Sequence, residues 1–285
     1  MHRSRRLALA LITTAMLAGS AMTASAALAS SVVPDLTTSV APSVPTAPVL
    51  HGVAPGSAPW VIKDSVAQLN EGLLTVGIQG LIIPELGTAG PVTSVDAALY
   101  CGDETTPALT TKTFPLSEKG NALILERVKL PSNCLAPALL INPLGIGSIY
   151  IASSGFPSNQ AEPVFATSLA PSVPTDPVLH GVAPGSAPWV LNNSFATHIG
   201  GFLTVSIQGL IIPELGTAGP VTSVDAALYC GDETTPALTT KTFPLSEKGN
   251  ALILERVKLP SNCLAPALLI NPLGIGSIYI ASSGF

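Results

Sequence analysis

A block of 79 residues occurs twice, unchanged, in this chain. It runs from Ile78 to Phe156 and again from Ile207 to Phe285, at an offset of 129. Just upstream, 41–61 matches 170–190 with one difference, Ala47 against Asp176. Identical sequence in an equivalent context builds the same core, so whatever the block forms is formed twice. A unit of about 110 residues is a normal domain size, which separates this tandem duplication from short-period solenoids.

Between the matching stretches lies a divergent one. Segments 62–77 and 191–206 read IKDSVAQLNEGLLTVG and LNNSFATHIGGFLTVS, and ten of the 16 positions differ. Homogenising recombination that spared this patch explains the sharp boundaries and is the favoured origin. Divergence of a loop or edge that meets a ligand is the functional alternative, since recognition residues concentrate on loops carried by a rigid scaffold. On that alternative the candidate recognition patch comprises Lys63, Asp64, Leu69 and Glu71 in the first copy and Asn192, Asn193 and His198 in the second.

Within one copy the apolar residues recur with period two. Leu74, Val76 and Ile78 share one face, and Val95, Ala97, Leu99 and Cys101 another. Further strands are expected over 109–116, 122–129, 136–141 and 148–153, and turn-rich stretches at 85–91, 117–121 and 142–147 separate them. About seven short strands with such punctuation predict an antiparallel β-sandwich of immunoglobulin-like character, with a small β-barrel as the alternative. Each copy holds two cysteines. The copies must each fold, so pairing within a copy is simplest: Cys101 with Cys134 and Cys230 with Cys263. Closing a loop of about 34 residues contributes roughly 3–4 kcal/mol in the chain-entropy model. With no CxxC present, neither redox catalysis nor a zinc site is supported.

The remaining segments punctuate the chain. Residues 1–29 have the layout of a secretory signal peptide: a basic head with Arg3, Arg5 and Arg6, an apolar stretch from about Leu7 to Leu17, and small residues ending at Ala26 or Ala29. The stretch falls short of the roughly 20 residues a membrane span needs. Ser4-Arg5-Arg6 hints at twin-arginine export, but Ala8 stands where that signal prefers Phe, so the general secretory route is favoured. The mature chain is expected to start between Ala27 and Ser31 and to stay out of the membrane after cleavage. Segments 30–45 and 157–174 are rich in Pro, Ser, Thr and Ala and are expected to be semi-rigid linkers before domains at 46–156 and 175–285, like beads on a stiff string.

Charge narrows the function classes. Removing the leader takes three Arg and no acid, which leaves a net charge of −8. An acidic chain without a basic run is a poor partner for nucleic acid or anionic lipid. Only 10% of residues are charged, against 47% hydrophobic, so the surface must carry much Ser, Thr, Pro and aliphatic area. Either genome composition or an exposed apolar patch that meets a partner accounts for this.

Catalytic signatures are scarce. Apart from His2 in the leader, the histidines are His51, His180 and His198; His51 and His180 occupy the same position in VLHGVAPGSAPW. No GxSxG elbow accompanies them, and they read as loop or strand-end residues. Asp103-Glu104 and Asp232-Glu233 read as solvated turns, since one acidic pair lacks the ligand count for calcium. Trp60 and Trp189 read as packing residues rather than sugar platforms. No catalytic residue, metal or cofactor is expected.

The succession of a Trp-Val opening at Trp60, LTVxIQGLIIP, ALYCG, FPLSEKGNALI, LPSNCLAPALLI and a closing IYIASSGF resembles small exported proteins of high-GC Gram-positive bacteria. The resemblance covers each copy from about Trp60 to Phe156 and from Trp189 to Phe285. It implies export and a β-domain, and it transfers no activity and no site residues. The duplication departs from the single copy usual in that group. The expectation is therefore a secreted, non-catalytic binding or structural module, with a cell-wall polymer or another secreted protein as candidate partner. A secreted inhibitor of a protease or other hydrolase, presenting residues between Cys101 and Cys134, and a hydrolase are the alternatives.

Overall fold

The computed structural model describes residues 35–131, 133–157 and 164–285; the signal peptide and its cleavage site lie outside them. The described residues contain strands and turns and no helix. In the first copy the principal strands are β1 (Leu36–Thr38), β2 (Val40–Pro42), β3 (Asp64–Asn70), β4 (Leu73–Gln79), β5 (Ser94–Tyr100), β6 (Ala122–Arg127), β7 (Ala138–Pro143) and β8 (Ala152–Phe156). In the second they are β9 (Phe165–Pro171), β10 (Val190–Ile199), β11 (Phe202–Ile211), β12 (Ser223–Tyr229), β13 (Ala251–Arg256), β14 (Ala267–Pro272) and β15 (Ala281–Ser283).

The period-two reading holds for 74–78 and 95–99, whereas the strand expected over 109–116 is two short pieces, Leu109–Thr110 and Phe114–Pro115, and the strand over 64–70 was not expected. Strand β3 alternates strictly between exposed and buried, and β4 follows the same rhythm. Their inward residues, Ala67, Leu69, Leu74, Val76 and Ile78, meet Val95, Ala97, Leu99, Leu139 and Ile141 from β5 and β7 across the sandwich. Every residue of β7 is buried. Its second face, with that of β5, lies under a further layer in which Leu50, Val53 and Tyr150 pack on Tyr100, Ala138 and Leu140. The architecture is all-β and layered, and the sheets do not close into a barrel.

The two expected disulfides are present, Cys101–Cys134 and Cys230–Cys263, with Cα atoms 4.9 and 5.0 Å apart. Each ties the end of a central strand to the loop entering β7 or β14.

The expectation of linkers at 30–45 and 157–174 is corrected. Strands β1, β2 and β9 fall inside them. Leu36, Thr38 and Val40 alternate inward, as do Phe165, Thr167 and Leu169, and all six are buried. The Pro/Ser/Thr-rich composition hid this pattern; Pro42 and Pro171 stand at strand ends, where the missing N–H is tolerated.

These strands also correct the beads on a string. Strand β1 pairs antiparallel with β9, matching Leu36 with Thr167, Thr37 with Ala166 and Thr38 with Phe165. The offset of 129 carries Leu36 onto Phe165 and Thr38 onto Thr167, so the pairing is its own image about a dyad through Thr37 and Ala166. One sheet results, in the order β6-β4-β3-β1-β9-β10-β11-β13. Its outward face carries Val66, Leu73, Leu123 and Leu125 from one copy and Phe202, Leu252 and Leu254 from the other, all exposed.

The second layers exchange their ends across the same dyad. Gly155 and Phe156 pair with Leu264 and Cys263, while Leu135 bridges Gly284. The Ala136 N–H donates to the Ser283 carbonyl at 2.6 Å, and its counterpart Ala265 donates to Ser154 at 2.7 Å. A Cβ at Gly155, where φ is 156°, would overlap the Cys263 carbonyl oxygen, and Gly284 faces Cys134 in the same way. Phe156, fully buried, completes the core of the second copy and meets Phe165 edge-on at 5.8 Å. Phe285 packs on the core of the first. The described residues form one compact unit.

An isolated copy would expose the seat of Phe285 and leave Phe156 without its own, forfeiting about 2–3 kcal/mol for a large apolar side chain. A self-complementary seam closes as readily between two identical chains as within one. A fragment spanning 30–157 is therefore expected to sediment as a dimer, with Thr37 of one molecule against Thr37 of the other. A folded monomer contradicts the exchange.

Candidate functional site

The divergent segment forms the β3–β4 and β10–β11 hairpins. Lys63, Asp64, Glu71, Asn192 and Asn193 are exposed on them. Leu69 and His198 are not: they are 1% and 7% exposed and point into the cores. Placing these two in a recognition patch is corrected by the pleat, which turns 65, 67 and 69 inward. Leu69 pairs across the strands with Leu36, and His198 with Phe165, so this part of the divergence is a change of core pair. Neither ring nitrogen of His198 has a hydrogen-bond partner.

The site that the fold does assemble uses residues common to both copies. Leu50 and Val53 exchange backbone hydrogen bonds of 3.0 and 2.7 Å around His51-Gly52. With φ of 50° at His51 and 77° at Gly52, the turn has the left-handed form that suits a two-residue hairpin. A side chain at positive φ carries a conformational cost, and His180 repeats it at 51°. The turn lays the imidazole of His51 on Tyr100, centroids 4.8 Å apart and nearly parallel, and His180 on Tyr229 at 4.9 Å. Nδ1 of His51 lies 3.0 Å from the Glu104 carbonyl, and Nδ1 of His180 lies 3.1 Å from that of Glu233. A carbonyl only accepts, so Nδ1 carries the proton and Nε2 keeps its lone pair.

The dyad brings these turns together. His51, Gly52, Asp103 and Thr105 of one copy and His180, Gly181, Asp232 and Thr234 of the other line a single open cleft of 280 Å³. Burial pushes both histidines below the usual imidazole range, opposed by the backbone carbonyls and by Asp103 and Asp232. Burial also raises Asp103, opposed by His180 and His51 and reinforced by Asp232. Uncharged imidazoles thus stand beside two aspartate side chains.

His51, Gly52 and Thr105 also line an adjoining pocket of 420 Å³, which runs to Tyr100, Thr110, Asp96 and Asn142. Asp96 and Asn142 are cross-strand neighbours on β5 and β7. Both are buried, and Oδ1 of each lacks a hydrogen-bond partner. Asp225 and Asn271 of the second copy have the same unpartnered oxygens. Burial raises Asp96 and Asp225, against the stabilising N–H groups of Gly145 and Gly274 respectively. The two pockets make one groove rich in acceptors, and no Lys or Arg lines either part. Among the described residues no group of three or more His, Cys, Asp or Glu is arranged to hold a metal ion. Trp60 and Trp189 are buried.

No protein-family model, curated protein or solved structure matches the chain.

Read along the chain, His51 and Asp103 belong to separate turns. The missed signal was that HG and CGDET occur twice, so a dyad near either one doubles it. The assembled cleft is single, so a ligand held there binds the chain once, rather than twice as separate domains would require.

A buried imidazole with both nitrogens unsatisfied costs about 1–3 kcal/mol. His198→Leu restores the residue that the first copy uses and is expected to raise stability by about 1–2 kcal/mol. Urea denaturation of the two proteins checks this; unchanged or lower stability contradicts it.

Proposed function

We propose that the protein is a secreted, non-catalytic binding module of the cell surface, and that the groove at the seam is its ligand site. The observation that carries this is the dyad cleft, to which both copies contribute the same four residues. A left-handed histidine turn stands in each copy at a conformational cost, and strain of this kind clusters where a side chain must be presented.

Supporting features agree. The leader-like N-terminus and two disulfides fit an oxidising destination. The acidic balance disfavours nucleic acid, and among the described residues no helix is long and apolar enough to cross a membrane. A cell-wall polymer is the partner best matched to a released module with an open polar groove. The non-catalytic reading rests on two uncharged imidazoles, each committed through Nδ1 to a backbone carbonyl rather than to an orienting carboxylate.

Retention on insoluble bacterial cell walls tests the reading. The mature protein is expected to co-sediment with walls, and Thr105→Trp/Thr234→Trp, which fills the cleft from exposed positions, is expected to release it. A protein that stays in the supernatant at every wall loading contradicts the proposal, as does retention unaffected by the filled cleft.

A further inference from the structure

We infer that the groove recognises ammonium groups, and specifically a ligand that carries at least two of them. The inference rests on the groove being a ligand site and names the chemistry that would occupy it.

The lining is one-sided in charge and rich in hydrogen-bond acceptors. At the dyad it offers the carboxylates of Asp103 and Asp232, the Nε2 lone pairs of His51 and His180, and the hydroxyls of Thr105 and Thr234. No cationic side chain of the chain lines the cleft to neutralise these acids. An anionic ligand would add repulsion to its own desolvation cost. A cation with N–H donors does the reverse, because charge-assisted hydrogen bonds to carboxylates are about twice as strong as neutral ones.

A second observation points the same way. Deeper in the groove, Asp96 and Asn142 are buried, at 3% and 0% exposure, and each keeps an unpartnered Oδ1. Buried acceptors without donors are rare in folded proteins, and each one calls for a donor. Asn142 already commits its Nδ2 to the Ile149 carbonyl at 2.7 Å, so its side chain cannot turn to offer the amide instead. Both side chains line the pocket that adjoins the cleft, with these oxygens closed off from solvent, so a donor that opened this lining would complete both groups.

The acceptors come in dyad-related pairs, which sets the valence. One ammonium answers one half of the cleft and leaves the other half unmatched. Two ammonium groups on a common chain answer both, and the second contact forms at high effective concentration. An α,ω-diamine, a lysine-containing peptide and an oligomer of an amino sugar share this chemistry.

Isothermal titration of the mature protein tests it, with putrescine, cadaverine and longer α,ω-diamines as probes and butylamine and the matching diols as controls. The expected result is saturable diamine binding of one molecule per chain, at least about tenfold tighter than butylamine, with no binding of diols. Asp103→Asn/Asp232→Asn, at exposed positions, is expected to weaken the diamine at least tenfold while leaving the melting temperature within a few degrees. Raising salt on the unmodified protein should weaken binding in the same direction, which keeps the test independent of the variant. Lysine oligomers and glucosamine oligomers, titrated alongside, identify the source of the ammonium groups. Diols binding as tightly as diamines, no response to the Asp→Asn pair, or no amine binding at all overturns the inference. Wall retention that Thr105→Trp/Thr234→Trp abolishes but Asp103→Asn/Asp232→Asn does not would defeat ammonium recognition and leave the binding module standing. Diamine binding without wall retention would do the opposite.

Discussion

Each copy ends in backbone and side chains whose partners lie in the other copy. The β1–β9 pairing joins the first layers, and the exchange of 154–156 with 263–265, and of 134–136 with 283–285, joins the second. Hydrogen bonds of this kind are obligatory for buried backbone, so the ends of neither copy are satisfied alone. The disulfides reinforce the arrangement, because Cys134 and Cys263 anchor the loops that cross the seam. Duplication in this chain has the physical meaning of a dimer whose protomers are covalently linked.

A dyad has consequences for whatever lies on it. Residues that are unremarkable singly, a turn histidine and a turn aspartate, become a four-group cluster when the axis passes beside them. The clustering also couples their titration, because burial lowers the imidazoles and raises Asp103, and Asp103 and His180 oppose that effect on each other across the seam. Linking the copies allows them to drift apart. One copy has the pair Leu36–Leu69 and the other Phe165–His198, a difference that a strict homodimer could not hold.

Much of the fold was legible because period-two alternation is a local property. Strands β4, β5, β6 and β7, the cysteine pairs and the glycine-rich turns all declare themselves within a few residues. Strands β1 and β9 did not, because Pro, Ser and Thr outnumber the apolar residues that alternate among them. The orientation of Leu69 was ambiguous, since Val66 on the opposite face is equally apolar. The site was the least legible part. His51 and Asp232 are distant in sequence and lie in different copies, and only a pairing centred on Thr37 and Ala166 brings them together. No local pattern encodes the position of a symmetry axis.

Differential scanning calorimetry of the mature chain tests the seam most directly. If the copies exchange ends as described, they unfold together, and the van't Hoff enthalpy equals the calorimetric enthalpy over a single transition. Two transitions, or a van't Hoff enthalpy about half the calorimetric value, would show two independent units and contradict the account.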